Sequence, residues 1–156
     1  MNINKFTQKS LEAVNSLERI TYEFGNQEMA QVHLLYALLT QEDGLLPKLI
    51  EKMEINVEHF TDNVEAHINR RPKVSGGSPF VGNALNKVLV SAEDEAKAMN
   101  DAYVSVEHLV LSMLKHPDSD VKDLMKEYGI TRDRFLSALA EVRGNHNVTT
   151  DNPEAT

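Results

Sequence analysis

The amino-acid sequence predicts an all-α fold: eight helices in two tandem four-helix repeats, related by a pseudo-twofold and sharing one core. Three observations predict it. A short apolar segment occurs twice, as His33-Leu34-Leu35-Tyr36-Ala37-Leu38-Leu39 and as His108-Leu109-Val110-Leu111-Ser112-Met113-Leu114. The offset of 75 positions that carries His33 onto His108 also places Phe6 on Val81, Val14 on Leu89, Leu49 on Leu124, Ile55 on Ile130 and Phe60 on Phe135 without a gap. Apolar residues recur at three- and four-residue steps, and no stretch shows a β signal of any strength. Such a match marks a duplicated helical unit. Each unit alone is too small to hide its own stripes, so the two share a core.

From Asn4 to Phe24, Phe6, Leu11, Val14, Leu17, Ile20 and Phe24 form one face of a long helix, which Gly25-Asn26 ends. The second helix, about 31–41, is apolar on most sides and is expected to be central and buried. Asp43-Gly44 breaks it. A short helix over about 46–53 accommodates Pro47 in its first turn. Asn56 is the expected N-cap of a fourth helix with Val57, Phe60, Val64 and Ile68 on its inner face, and Pro72 stops it near Arg71. Residues 72–78, Pro-Lys-Val-Ser-Gly-Gly-Ser, have the composition of a flexible connection between repeat 1 (1–71) and repeat 2 (79–143).

Ser78-Pro79 reads as N-cap and first helical position of a fifth helix running to about Met99. Ser105 caps the sixth, which carries the second His-Leu segment and ends before Pro117. The seventh spans about 120–128 and is closed by Gly129; Thr131 caps the eighth, which Gly144 follows. Residues 144–156 are polar and aperiodic and read as a linker.

The 156 residues fit one domain, or two small halves packed together, with enough chain to bury a core unaided. The absence of cysteine excludes a disulfide framework and thiolate metal sites. No apolar run approaches the roughly 20 residues of a membrane span, and a cytoplasmic location is expected. A net charge of −8 disfavours nucleic acid, which wants a basic surface. The one basic cluster, Arg70-Arg71-Pro72-Lys73, suits a helix C-terminus.

The motifs that carry chemistry are missing. Gly76-Gly77 lacks the spacing and lysine of a phosphate loop, and no zinc-binding His-Glu-x-x-His or Gly-x-Ser-x-Gly elbow occurs. His59 and His67 lie two helical turns, about 12 Å, apart and cannot chelate one ion. His33 and His108, equivalent in the repeats, are expected to orient the turns that precede their helices. No metal site is assigned, and a binding module rather than an enzyme is expected.

Phe6-Thr7, the run Glu107-His108-Leu109-Val110-Leu111-Ser112-Met113-Leu114, the Gly129-Ile130 start of the last helix and the duplication itself resemble the Clp N-terminal repeat domain. That domain heads the Hsp100/Clp AAA+ chaperones and unfoldases, and the resemblance covers about 1–143. The stretch from Val142 to Asn145, with Val148-Thr149 and Asn152-Pro153-Glu154-Ala155-Thr156, is similar to the exit of this domain in the disaggregase branch. The resemblance implies an N-terminal domain that weakly binds unfolded or aggregated polypeptide and hands it to an ATP-driven hexameric ring. The alternative it implies is an adaptor-docking domain of a protease-linked unfoldase. ATP and Mg²⁺ would belong to AAA+ domains beyond residue 156, none is expected in this chain, and the fragment itself is expected to be monomeric.

By resemblance, Thr7, Asp101 and Glu107 lie near the substrate-contacting surface, with Leu89 and Leu109 lining an apolar groove beside them. A second reading stands for each. Leu89 and Leu109 fall on core-facing stripes, Asp101 can cap the turn before the sixth helix, and Thr7 can finish the first helical turn. The first repeat has Val32 where the second has Glu107, so an acidic function would rest on the second repeat only.

Overall fold

The computed structural model describes residues 1–144 and 146–153. Asn145 and Glu154-Ala155-Thr156, part of the expected C-terminal linker, lie outside the described residues. The described chain is mostly helical. Its helices are α1 (Gln8–Asn15), α2 (Leu17–Glu23), α3 (Gln31–Thr40), α4 (Leu45–Lys52), α5 (Val57–Asn69), α6 (Asn83–Ala98), α7 (Val106–Lys115), α8 (Ser119–Tyr128) and α9 (Arg132–Arg143). The first expected helix is broken at Ser16 into α1 and α2, where the Ser16 hydroxyl donates to the Ala13 carbonyl at 2.7 Å. Serine back-bonding of this kind bends helices. Its counterpart α6 runs unbroken.

The repeat reaches into details of the backbone. Gly25 (φ 76°) and Asn100 (φ 59°) occupy one left-handed repeat position, and Glu54 (φ 61°) and Gly129 (φ 65°) another. At Gly129 the chain reverses after α8, and the φ it adopts there favours glycine. Asn56 and Thr131 cap α5 and α9 as their positions predict, accepting from the amides of His59 (2.9 Å) and Arg134 (3.1 Å). Asp118 does the same for α8.

Two expectations fail together. Ser78-Pro79 does not open a helix, and the chain is not free of strand. Glu28–Met29 (β1) pairs in parallel with Phe80–Val81 (β2), in the register Glu28↔Phe80 and Met29↔Val81, and α6 begins only after Gly82. A separate parallel bridge joins Phe6 to Val104. The offset of 75 carries Phe6 onto Val81 and Met29 onto Val104, so the two pairings are images of each other. Each repeat's first segment pairs with the turn before the other repeat's buried helix. Two-residue strands carry no periodicity, and their partners lie in the other half of the chain; no local signal could announce them.

α3 and α7 form the centre. Val32, Leu34 and Leu38 of α3 and Leu109, Leu111 and Met113 of α7 are fully buried, within one cluster that takes in both repeats. α7 packs along α6, and α3 lies against α5 and the broken first helix. No helix among the described residues is long and apolar enough to cross a membrane.

The two stretches expected to be linkers are partly docked. Between the repeats, the Asn26 side-chain amide donates to the Pro72 carbonyl (3.0 Å) and the Val74 amide to the Gly25 carbonyl (2.8 Å). At the exit, Val148 is buried, and the Ala102 amide donates to its carbonyl at 2.8 Å. The Gln8 amide donates to the Asp151 carbonyl at 2.6 Å. The polar composition of 144–156 conceals one apolar anchor.

Candidate functional site

The site grows from the two equivalent histidines. His33 Nδ1 accepts the Ala30 amide at 2.9 Å, and His108 Nδ1 accepts the Ser105 amide at 2.8 Å, closing the first turns of α3 and α7. Because Nδ1 accepts, Nε2 carries the hydrogen. In repeat 1 it donates to Asn26 Oδ1 (3.0 Å); in repeat 2 it donates to Asp101 Oδ2 (2.6 Å). Asn26 and Asp101 are themselves equivalent under the repeat. One atom, amide nitrogen against carboxylate oxygen, separates a neutral structural turn from a charged one.

The charge at Asp101 is fully enclosed, and three donors meet it. Besides His108, Arg143 Nη2 donates to Oδ1, and the Val148 amide donates to the same oxygen at 2.8 Å. Burial alone would push the carboxyl up; the Arg143, Val148 and His108 hydrogen bonds outweigh it and hold it below the usual carboxylate range. The second arm of Arg143 approaches Glu107 Oε2 at 3.7 Å. Glu107, in the first turn of α7, is 3% exposed, and its Oε1 is buried without a hydrogen-bond partner. A buried, unpaired carboxylate oxygen is costly, and native structures rarely keep one without use. Two carboxylates sharing one guanidinium leave the cluster net acidic.

Thr7 sits one step away. It is fully buried and caps α1, its Oγ1 accepting the Ser10 amide at 3.3 Å. Its own amide donates to the Val104 carbonyl at 2.9 Å, which also receives the Ser10 hydroxyl at 2.7 Å. Val104 lies three residues before Glu107. Thr7, Asp101 and Glu107, which the resemblance grouped, are thus joined through the Phe6–Val104 bridge and the start of α7.

The two leucines do not belong with them as a surface. Leu109 has no exposed area and Leu89 is 4% exposed, and both lie in the shared core between α6 and α7. Neither lines an open groove in this structure. Side chains on the seam where the two central helices of repeat 2 meet are enclosed by both, and that is the physical reason. Among the described residues, the exposed large apolar side chains are instead Met1, Ile3, Tyr22, Val74, Phe80, Val81, Val90 and Val142. An open cleft of about 400 Å³ lies on the repeat 1 side, among Arg19, Ile20, Glu23, Phe24, Tyr36 and Thr40, and contains none of Thr7, Leu89, Asp101, Glu107 and Leu109.

Sequence reasoning missed Arg143 and Val148. Arg143 reads as an ordinary basic residue at a helix C-terminus, and Val148 as part of a polar tail. The signal that could have found the cluster is the Asn26/Asp101 equivalence, which puts a lone carboxylate beside a repeated histidine. Among the described residues, no group of three or more His, Asp or Glu side chains is arranged to hold a metal ion.

Comparison with known proteins fits this architecture. The family model of the Clp repeat (R) N-terminal domain matches residues 5–128. The chain belongs to the Clp repeat N-terminal domain family. Among curated relatives of this Clp domain, the chaperone protein ClpB of Nitratidesulfovibrio vulgaris is 41% identical over 162 aligned positions covering 100% of the chain. The ClpB of Porphyromonas gingivalis is 38% identical and covers 99% of it. The chain spans about a fifth of the length of these relatives, 19% and 18%. In structure, the Hsp104 N-terminal domain from Candida albicans superposes with a TM-score of 0.83 at 21% identity, covering 97% of this chain and 99% of that one. A ClpV N-domain in complex with a VipB peptide superposes with a TM-score of 0.71 at 19% identity, covering 97% and 91%. The chain is a Clp/Hsp100 chaperone N-domain with the fold of its relatives.

Proposed function

We propose that this Clp N-domain is the substrate-engaging domain of a ClpB-type ATP-dependent chaperone. It binds unfolded or aggregated polypeptide weakly and passes it to the AAA+ ring that follows in such chaperones. The observation that carries this reading is identity of 34–41% to ClpB chaperones over the whole chain. A Clp-fold neighbour, the ClpV N-domain, is described in complex with a peptide, which supports peptide engagement by this fold. ATP and Mg²⁺ act in the ring and not through residues of this chain.

The geometry supports the reading in two ways. Scattered exposed apolar residues on a surface of net charge −8 favour weak capture of apolar segments, with basic flanks preferred over acidic ones. A few partly buried aliphatic side chains, each contributing roughly 1.5–3 kcal/mol at full burial before ordering costs, give reversible binding suited to hand-off. The Asp101–Arg143–Glu107 cluster, with Thr7 beside it, is the acidic element enclosed beneath that surface. Glu107 Oε1, buried without a hydrogen-bond partner, is the acceptor assigned to a client donor.

The test is fluorescence anisotropy of a labelled, reduced and alkylated protein titrated with this chain, beside its native form. Unfolded client binds weakly and reversibly, native protein does not, and Glu107→Ala lowers the affinity while leaving the thermal melt cooperative. Equal binding of folded and unfolded forms would overturn the proposal.

A further inference from the structure

The duplication provides a comparison inside the molecule. The offset of 75 carries Asn26 onto Asp101, Val32 onto Glu107 and Ile68 onto Arg143. All three repeat 1 residues are buried, and none is charged. Beside them residues 72–74, which follow α5, run past the turn before α3: the Asn26 side-chain amide donates to the Pro72 carbonyl, and the Val74 amide to the Gly25 carbonyl. Repeat 1 thus closes the equivalent turn, against the equivalent stretch of chain, with neutral groups. The three charges of repeat 2 are not required by the fold, and enclosing them costs desolvation.

In repeat 2 the charges hold the exit segment, with Arg143 at their centre. Its Nε donates to the His146 carbonyl at 2.7 Å, its Nη2 to Asp101 Oδ1, and its Nη1 lies 3.7 Å from Glu107 Oε2. Asp101 Oδ1 also takes the Val148 amide, the Val148 carbonyl takes the Ala102 amide, and the Asp151 carbonyl takes the Gln8 amide next to Thr7. One guanidinium therefore touches the exit segment and both carboxylates at once. The segment itself is shallowly seated: Val148 is buried, whereas His146, Asn147, Thr149, Thr150 and Asp151 are exposed. A stretch with one enclosed side chain among exposed neighbours belongs to the low-stability end of a fold and opens locally.

We propose that residues 146–151 are a releasable strap that closes the Asp101–Glu107 site, and that a lysine or arginine of unfolded polypeptide opens it by taking the place of Arg143 between the two carboxylates. Asp101 and Glu107 set two negative charges against one guanidinium, so the exchange replaces one cation with another and leaves neither carboxylate buried alone. Arg143, displaced, no longer holds the His146 carbonyl, and Val148 leaves with it. Glu107 Oε1 gains the donor it lacks. Client binding and strap docking then oppose each other through one coupling free energy, felt equally from either side. The inference rests on the reading of the domain as one that engages unfolded polypeptide, and adds the regulation of that site.

The coupling is read in both directions. Val148→Ser and Val148→Asp weaken the strap in the full chain, the second by setting a carboxylate against that of Asp101. Both are expected to bind the reduced and alkylated client more tightly than wild type, by up to roughly 5- to 30-fold, the factor by which a strap that leaves the site open in one molecule of five to one of thirty lowers the apparent affinity. Combination with Glu107→Ala is expected to abolish the gain, which non-specific exposure of apolar surface would not do. In the wild-type chain, saturating client is expected to speed hydrogen exchange at the Gln8 and Ala102 amides while the amides of α3 stay protected. Unchanged or weaker binding by both variants with cooperative melts, a gain that survives Glu107→Ala, or unchanged exchange at those two amides in the client-bound wild-type chain overturns the strap and leaves the proposed function standing. Failure of the wild-type chain to bind the client overturns both.

Discussion

At the scale of single residues, the two buried histidines show how one duplicated position acquires two electrostatic characters. His33 is fully enclosed, and its pKa falls to about 4, through burial first and the Arg71 charge second. In the unfolded chain it titrates near 6.5, so below that pH the unfolded state binds the proton that the folded state refuses. Stability is therefore complete above about 6.5 and falls as pH drops toward 4, by about 3 kcal/mol if the full shift is realised. Asp101, held below its usual range, adds a loss at still lower pH as its folded pKa is crossed. Urea midpoints between pH 7 and 4 check this: they fall on acidification, and His33→Gln flattens the slope between 6.5 and 4. Leu109→Ser makes the opposite point about function. It destabilises by about 2–5 kcal/mol as a core truncation, so any loss of client binding in that variant tracks unfolding measured by circular dichroism.

At the scale of elements, the exit segment is the part whose behaviour is least like its composition. Its polar residues predict a linker, yet Val148 is enclosed and the backbone of 148–151 satisfies two amides, one of them an orphan donor at the start of α1. A chain ending at Gly144 is expected to lose about 1–2 kcal/mol, the burial of one valine less the ordering cost of its segment. Hydrogen exchange checks the mechanism: the Gln8 and Ala102 amides become unprotected, while the amides of α3 stay protected. The break at Ser16 and the late start of α6 belong to the same scale. Helical periodicity was legible across both, and a serine back-bond or a two-residue strand leaves that periodicity untouched.

At the scale of the whole molecule, the two repeats exchange their first segments, Phe6 to Val104 and Val81 to Met29, around one core built on α3 and α7. Gln31 of α3 reaches across to the other half, donating to the Ala84 and His116 carbonyls at 3.1 and 2.8 Å. Neither half can satisfy its own buried helix. Residues 1–71 or 79–156 produced alone are expected to lack a cooperative melt, and mixing the two is expected to restore one. Independent folding of either half would show the exchange to be dispensable.

The sequence by itself determined the all-α class, the duplication and its register, the buried character of the His-Leu helices, and the turn-orienting role of His33 and His108. These follow from periodicity and spacing, which survive without knowledge of partners. Only the tertiary structure decided that Leu89 and Leu109 face the core and not a groove, that Arg143 and Val148 complete the Asp101 cluster, and that the pairing of Phe6 with Val104 is covered while that of Val81 with Met29 is open. The His-Leu stripe shows which residues avoid water, but not which seam encloses them. Contacts such as Arg143 to Asp101, 42 positions apart, depend on how helices meet in space, and no local pattern records that. The repeated segment is the scaffold on which both outcomes rest; its two surroundings differ at Asn26 against Asp101 and in a covered pairing against an open one.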